Sequence, residues 1–181
     1  MKKAVFVFAL FSSLALLLCS CVSIRRPPVA PINWPAEIKH MEAVCEINMS
    51  WKGLRYSGEM SINLDYPETL ALDVYGPFGD TVVSIRKDKD RFSMKVDNDE
   101  ISDKDRFRSL FNMNIDDFID DVAMRGAKEH KDGLTYVQRD RYRVEYERNQ
   151  PENKMCWIGS EGSICVRFLE AIFEKGQDWK K

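Results

Sequence analysis

Histidine is scarce in this chain: His40 and His130 are the only two among 181 residues. Neither has a paired serine or cysteine nucleophile, and neither has metal-ligand spacing to a cysteine, so the sequence offers no hydrolytic constellation and no zinc site. We expect both histidines at the surface, His40 in a helical lead-in and His130 in a polar loop. A glycine-rich phosphate loop is missing as well. Charge of one sign is also missing. Taking Lys2 and Lys3 away with an export signal leaves 25 basic residues against 29 acidic ones, a net of −4, with no basic cluster beyond residues 25–26. That balance excludes nucleic acid as a partner. The sequence therefore predicts no enzyme, no metal and no cofactor. An apolar run long enough to span a bilayer is lacking too, because Ala4 to Leu18 gives about fifteen residues where a span needs ~20.

That short run does have a meaning. Preceded by Lys2 and Lys3 and followed by Leu18-Cys19-Ser20-Cys21, it resembles the bacterial lipoprotein processing signal, with an aliphatic residue three places before Cys21 and a small one just before it. Residues 1–20 are read as the signal, and Cys21 as the lipidated first residue of the mature chain. Residues 21–33 carry Pro27, Pro28 and Pro31 without an amphipathic period and read as an extended tether. A single domain is expected over 34–175 and a polar tail over 176–181. Beyond the anchor, the mature cysteines are Cys45, Cys156 and Cys165. The stretch from Cys156 to Cys165 reads as a hairpin turning on Ser160-Glu161, with Gly159 and Gly162 on either side. Its register sets Cys156 opposite Cys165 on a non-hydrogen-bonded rung, so a disulfide is expected there.

From residue 43 to residue 97 the chain alternates apolar and polar, as in antiparallel strands with one wet face. Tyr56, Gly58, Met60, Ile62 and Leu64 form the inner series of one long strand. The period then becomes helical. Ser102 or Asp103 is a cap for a helix bearing Phe107, Leu110 and Phe111, and Asn114 caps a second bearing Ile115, Phe118, Ile119 and Val122. The second should stop near Arg125-Gly126. Asp116, Asp117, Asp120 and Asp121 are read as its solvated face. Alternation returns from Leu134 onward, with residues 168–174 open to either strand or helix.

The expected fold is mainly β, a single antiparallel curled sheet forming a half-open barrel with covering α-helices. Its inner face would be lined by Trp51, Tyr56, Met60, Phe92, Met94, Tyr142, Tyr146 and Trp157, a wide apolar surface fit for a cavity. Between two strands stands Gly76-Pro77-Phe78-Gly79, a type I turn that sets Phe78 at a hairpin tip. An aromatic there must fold back onto the core or be held out for a partner or lipid surface.

The run from Leu70 through Thr81, the strand at Tyr56-Ser57-Gly58, the Trp34 lead-in, Gly126 and the strand Tyr142 to Tyr146 together resemble the outer-membrane lipoprotein receptors of the lipoprotein-localisation pathway, the LolB family. The resemblance implies a helix-lidded half barrel whose cavity receives the acyl chains of other lipoproteins from a soluble periplasmic, LolA-like carrier. It also implies a membrane-insertion loop at Gly76, Pro77, Phe78 and Gly79, where Phe78 replaces the leucine usual in that family. The expectation is then a monomer, lipid-anchored on the periplasmic face of the outer membrane, that accepts and inserts lipoproteins. The alternative is a structural or assembly lipoprotein that uses the same fold to hold a protein partner.

Overall fold

The computed structural model describes residues 31–173 except 98, 127, 132–133 and 149–151. Cys21, the signal, most of the tether and the tail lie outside the described residues. Six strands come first: β1 (His40–Trp51), β2 (Leu54–Asp65), β3 (Thr69–Tyr75), β4 (Thr81–Asp88), β5 (Arg91–Val96) and β6 (Asp99–Ile101). Two helices follow, α1 (Lys104–Phe111) and α2 (Ile115–Val122). The described residues close with β7 (Glu129–Lys131), β8 (Leu134–Gln138), β9 (Tyr142–Glu147), β10 (Lys154–Gly159) and β11 (Gly162–Ile172).

All eleven strands form one antiparallel sheet in the order β6-β5-β4-β3-β2-β1-β11-β10-β9-β8-β7. Because β1 and β11 pair at the centre, the first and last of the described strands lock the middle of the sheet. The segment carrying α1 and α2 runs from one edge strand, β6, to the other, β7, and so bridges the opening that the curled sheet leaves. Register shifts between Val44 and Cys45 in β1 and between Val74 and Tyr75 in β3 add local bend. The second shift lies just before the Phe78 hairpin.

The alternation of the sequence becomes the burial pattern. On β1, Met41, Ala43, Cys45 and Ile47 face inward and are buried, as are Met60, Ile62 and Leu64 on β2 and Leu70, Leu72 and Val74 on β3. Each large side chain removed from water in this way contributes about 1.5–3 kcal/mol before its entropy cost. Burial also pushes the Cys45 thiol up, which keeps it protonated and unreactive at neutral pH.

Both helices start on their sequence caps. Asp103 accepts from the Asp105 N–H at 2.9 Å and Asn114 from the Asp116 N–H at 3.2 Å. The stop differs from expectation: α2 ends at Val122, and Met124, not the glycine, is the first residue to take a left-handed φ, of 56°. The Met124 side chain is buried in the core, which holds it in that conformation, and Gly126 follows with φ 104°.

The helical lead-in is also corrected. Residues 31–39 carry no helix. The Pro35 ring disfavours a helical Trp34, and the indole instead packs against Phe168 and Phe173, with ring centroids 5.0 and 5.4 Å away, and donates to Asn153 Oδ1. His40 accordingly is the first residue of β1 and not a surface residue. It is buried, with Nδ1 2.8 Å from Asp65 Oδ1. His130 lies exposed on β7 and not in a loop. Residues 168–172 continue β11 as strand.

In the β10–β11 hairpin, Gly159 pairs with Gly162 and Cys156 with Cys165, whose Cα atoms are 4.1 Å apart with the sulfurs bonded. Trp157 and Ile164, one residue further along each strand, face the interior, so the disulfide lies on the outer side of the sheet. Replacing both cysteines by alanine should lower stability by about 2–3 kcal/mol, the chain-entropy value for so short a loop. Urea unfolding with and without reductant measures it.

Candidate functional site

A cavity of about 630 Å³ lies between the concave face of the sheet and the helices. Its walls are almost wholly apolar. Ile47 and Met49 of β1, Met60 and Ile62 of β2, Leu72 and Val74 of β3, Ile85 of β4 and Met94 of β5 face it from the sheet. Phe107, Leu110, Phe111, Phe118 and Val122 cover it from the helical side, and Trp157, Ile164 and Val166 close it from β10 and β11. The volume is in the usual range for a small-molecule pocket. Methionine and aliphatic side chains make such a wall adaptable to a flexible apolar ligand.

Five of the eight residues expected to line the cavity do so: Trp51, Tyr56, Met60, Met94 and Trp157. Phe92, Tyr142 and Tyr146 do not. Phe92 turns onto the Phe107 ring, edge to face at 5.4 Å, and supports α1 from beneath. Tyr142 and Tyr146 are taken up by α2 through a residue that the helical period hides among polar neighbours.

That residue is Asp121, which the structure places at 0% exposure rather than on a solvated face. Arg139 donates to its Oδ1 from Nε at 3.0 Å and Nη2 at 2.7 Å, while Tyr142 and Trp157 donate to Oδ2 at 2.9 and 3.2 Å. The Tyr146 hydroxyl donates to the Asp121 backbone carbonyl at 3.1 Å. Burial pushes the Asp121 carboxyl above its ordinary value, opposed by the Arg139 guanidinium and the hydroxyl and indole donors. The same burial and the neighbouring carboxylate drive both tyrosine hydroxyls far up, so they remain donors at any physiological pH. The other three aspartates are not buried. Asp116 and Asp117 face Lys104 and Arg139 at 3.4 and 3.6 Å, and Asp120 accepts from the Tyr66 hydroxyl at 3.0 Å. Asp121 thus ties α2 to the β8–β9 turn, β9 and β10, and holds Tyr142 and Tyr146 away from the cavity.

Lys52, Leu54 and Arg55 of the β1–β2 turn line the cavity while exposed to solvent, which sets the mouth there. Trp51 is buried at the end of β1, and its Nε1 donates to the Leu110 carbonyl at 3.1 Å, while Lys52 Nζ donates to the Ser109 carbonyl at 3.1 Å. These two side chains satisfy carbonyls that the last turn of α1 leaves without intrahelical partners. They fasten α1 over the mouth. Of α1's side chains only Phe107 is buried, gripped by Phe92, Phe111 and Phe118. Floor and cover meet where the Phe118 ring stacks on Trp157 at 5.0 Å. Leu54 and Leu110 line the cavity while remaining 67% and 39% exposed, and Arg55, Arg106, Asp97 and Asp99 stand around them.

Beside the mouth, the Gly76-Pro77-Phe78-Gly79 turn closes with the Gly79 N–H donating to the Gly76 carbonyl at 3.0 Å and Gly79 at φ 83°. Phe78 is 95% exposed. The question left open by sequence is thereby decided: the ring does not fold back. Tyr56 braces the base of this hairpin, crossing over Gly58 to donate to the Tyr75 carbonyl at 2.5 Å. A Cβ at position 58 would come within 2.9 Å of both that carbonyl and the Tyr56 ring, which is why glycine stands there.

No protein-family model matches the chain. No curated protein matches it. Among solved structures, the crystal structure of a LolA superfamily protein from Nitrosomonas europaea is similar, at 7% sequence identity and a TM-score of 0.41, covering 83% of this chain and 92% of that one.

Proposed function

We propose that this protein is a lipoprotein acceptor of the LolB type, anchored through Cys21 to the periplasmic face of the outer membrane. It takes the acyl chains of other lipoproteins into its cavity from a LolA-like carrier and passes them to the bilayer. The observation that carries this reading is the apolar cavity of about 630 Å³ under a fastened helix. The driving force on binding is the removal of methylene groups from water, about 0.8 kcal/mol each. Residues 76–79, with Phe78 held out, serve as the membrane-insertion loop. No bond is made or broken in this scheme, and the protein is not an enzyme.

Transfer needs α1 to move. Its fastenings to the rim are few and its buried surface small, so opening costs little compared with unfolding the sheet. Trp51→Phe removes the hydrogen bond to Leu110 while keeping an aromatic wall. We expect about 1 kcal/mol of lost stability in urea unfolding and faster uptake of a fluorescent fatty acid in stopped-flow mixing.

The cellular test is depletion followed by membrane fractionation. Other lipoproteins should accumulate away from the outer membrane. If they arrive there at the normal rate, the acceptor role is lost, and the alternative of an assembly lipoprotein holding a protein partner takes its place.

A further inference from the structure

Five large apolar side chains are exposed among the described residues, and three of them, Leu54, Phe78 and Leu110, belong to one end of the molecule. The register shows why. Trp51 pairs with Leu54 at the β1–β2 turn, and the last β2–β3 pair is Glu59 with Tyr75. From that pair β2 runs on five residues to Leu54, about 17 Å, and the Phe78 turn runs on three, about 10 Å, in the same direction. The Trp51 hydrogen bond to the Leu110 carbonyl brings α1 to the same rim.

We infer that Leu54, Phe78 and Leu110 form a rim that docks the cavity mouth face-on against a phospholipid bilayer, so that Phe78 is one of three contacts and not the sole one. This rests on the reading of Cys21 and residues 76–79 given above. Leu54 and Leu110 are at once exposed and part of the cavity wall, so a bilayer seated on the rim meets an unbroken apolar path into the cavity. The chain outside the described domain favours the bilayer over a protein as the occupant. Trp34 packs at the level of Phe168, which pairs with Cys45, six residues or about 20 Å from Trp51 along β1. The thirteen residue steps from Cys21 to Trp34 reach at most ~45 Å. The anchoring bilayer is therefore always within reach of the rim, and docking is in effect intramolecular. Charge does not drive it. Arg55 and Arg106 have no ion-pair partner among the described residues, but Asp97 and Asp99 share their rim and Asp80 follows the Phe78 turn. Docking is apolar, hence nearly indifferent to salt and to headgroup charge.

The test uses the mature chain with Cys21→Ser, which removes the anchor, and flotation with phosphatidylcholine vesicles. Partitioning should be measurable, change by less than about twofold when salt is raised tenfold, and fall about tenfold in each of Leu54→Ser and Phe78→Ser, with the two losses multiplying. An environment-sensitive dye on Leu54→Cys should shift to the blue on vesicle addition, which reports contact even if Leu54→Ser folds poorly. A dye at 54 that does not shift while one at 78 does, or partitioning that needs anionic lipid, overturns the inference. Failure of the acceptor reading is separable: vesicle docking that depends on both tips, in a protein that takes up no lipopeptide, keeps this inference and ends that one.

Discussion

Replacing Asp121 by alanine is expected to cost the fold about 3–5 kcal/mol, the range for removing one partner of a buried ion pair. The loss is large because four donors are stranded together: two from Arg139, one from Tyr142 and one from Trp157. Tyr142 and Trp157 are buried, so water cannot replace the carboxylate for them. Alanine at Asp116 or Asp117, whose side chains are partly solvated, should change stability by no more than about 0.5 kcal/mol. Urea unfolding of the three variants gives the comparison. The pH dependence has a definite sign as well. Because the folded carboxyl titrates above its unfolded value, Asp121 binds a proton more readily in the native state. Its contribution is fully present below the unfolded value and diminishes as pH rises through the folded one. Asp121→Asn should flatten that part of the stability profile.

Phe78→Glu is expected to leave the fold intact and to lower transfer of acyl cargo into vesicles at least tenfold. The ring is 95% exposed, so its loss removes almost no packing, and melting should shift within the range of ordinary surface substitutions. A carboxylate at the tip replaces an apolar contact with a group that must be dehydrated to enter a bilayer. Lipopeptide binding in the cavity should be unaffected, since Phe78 is not part of its wall. Equal losses of binding and transfer in this variant would mean that the hairpin supports the cavity instead of the membrane step.

The strands were legible because their signal is local. Alternation at Tyr56 to Leu64 needs no partner to be read, and the same holds for the caps at Asp103 and Asn114 and for the turn that faces Cys156 to Cys165. The division of the aromatics between cavity wall and solid packing was not legible. Tyr142 and Tyr146 share the inward phase with Trp157, and nothing within β9 distinguishes a residue facing space from one committed to Asp121. Asp121 flanks the apolar stripe of α2 at a position from which a side chain can turn to either side. What turned it inward is Arg139, eighteen residues away on the far side of β7 and β8. Trp34 misled for the same reason, since its partners Phe168 and Phe173 lie at the opposite end of the chain.

A cavity built for acyl chains should bind a triacylated lipopeptide, which a titration measures. The mature chain carrying Cys21→Ser is mixed with the lipopeptide and with its unacylated counterpart, and tryptophan emission from Trp51 and Trp157, both on the cavity wall, is followed. Saturable binding of one lipopeptide per protein is expected, with no response to the unacylated peptide and loss of binding when Val74→Trp fills the cavity. Equal affinity for both peptides, or binding untouched by Val74→Trp, would contradict an acyl-chain cavity.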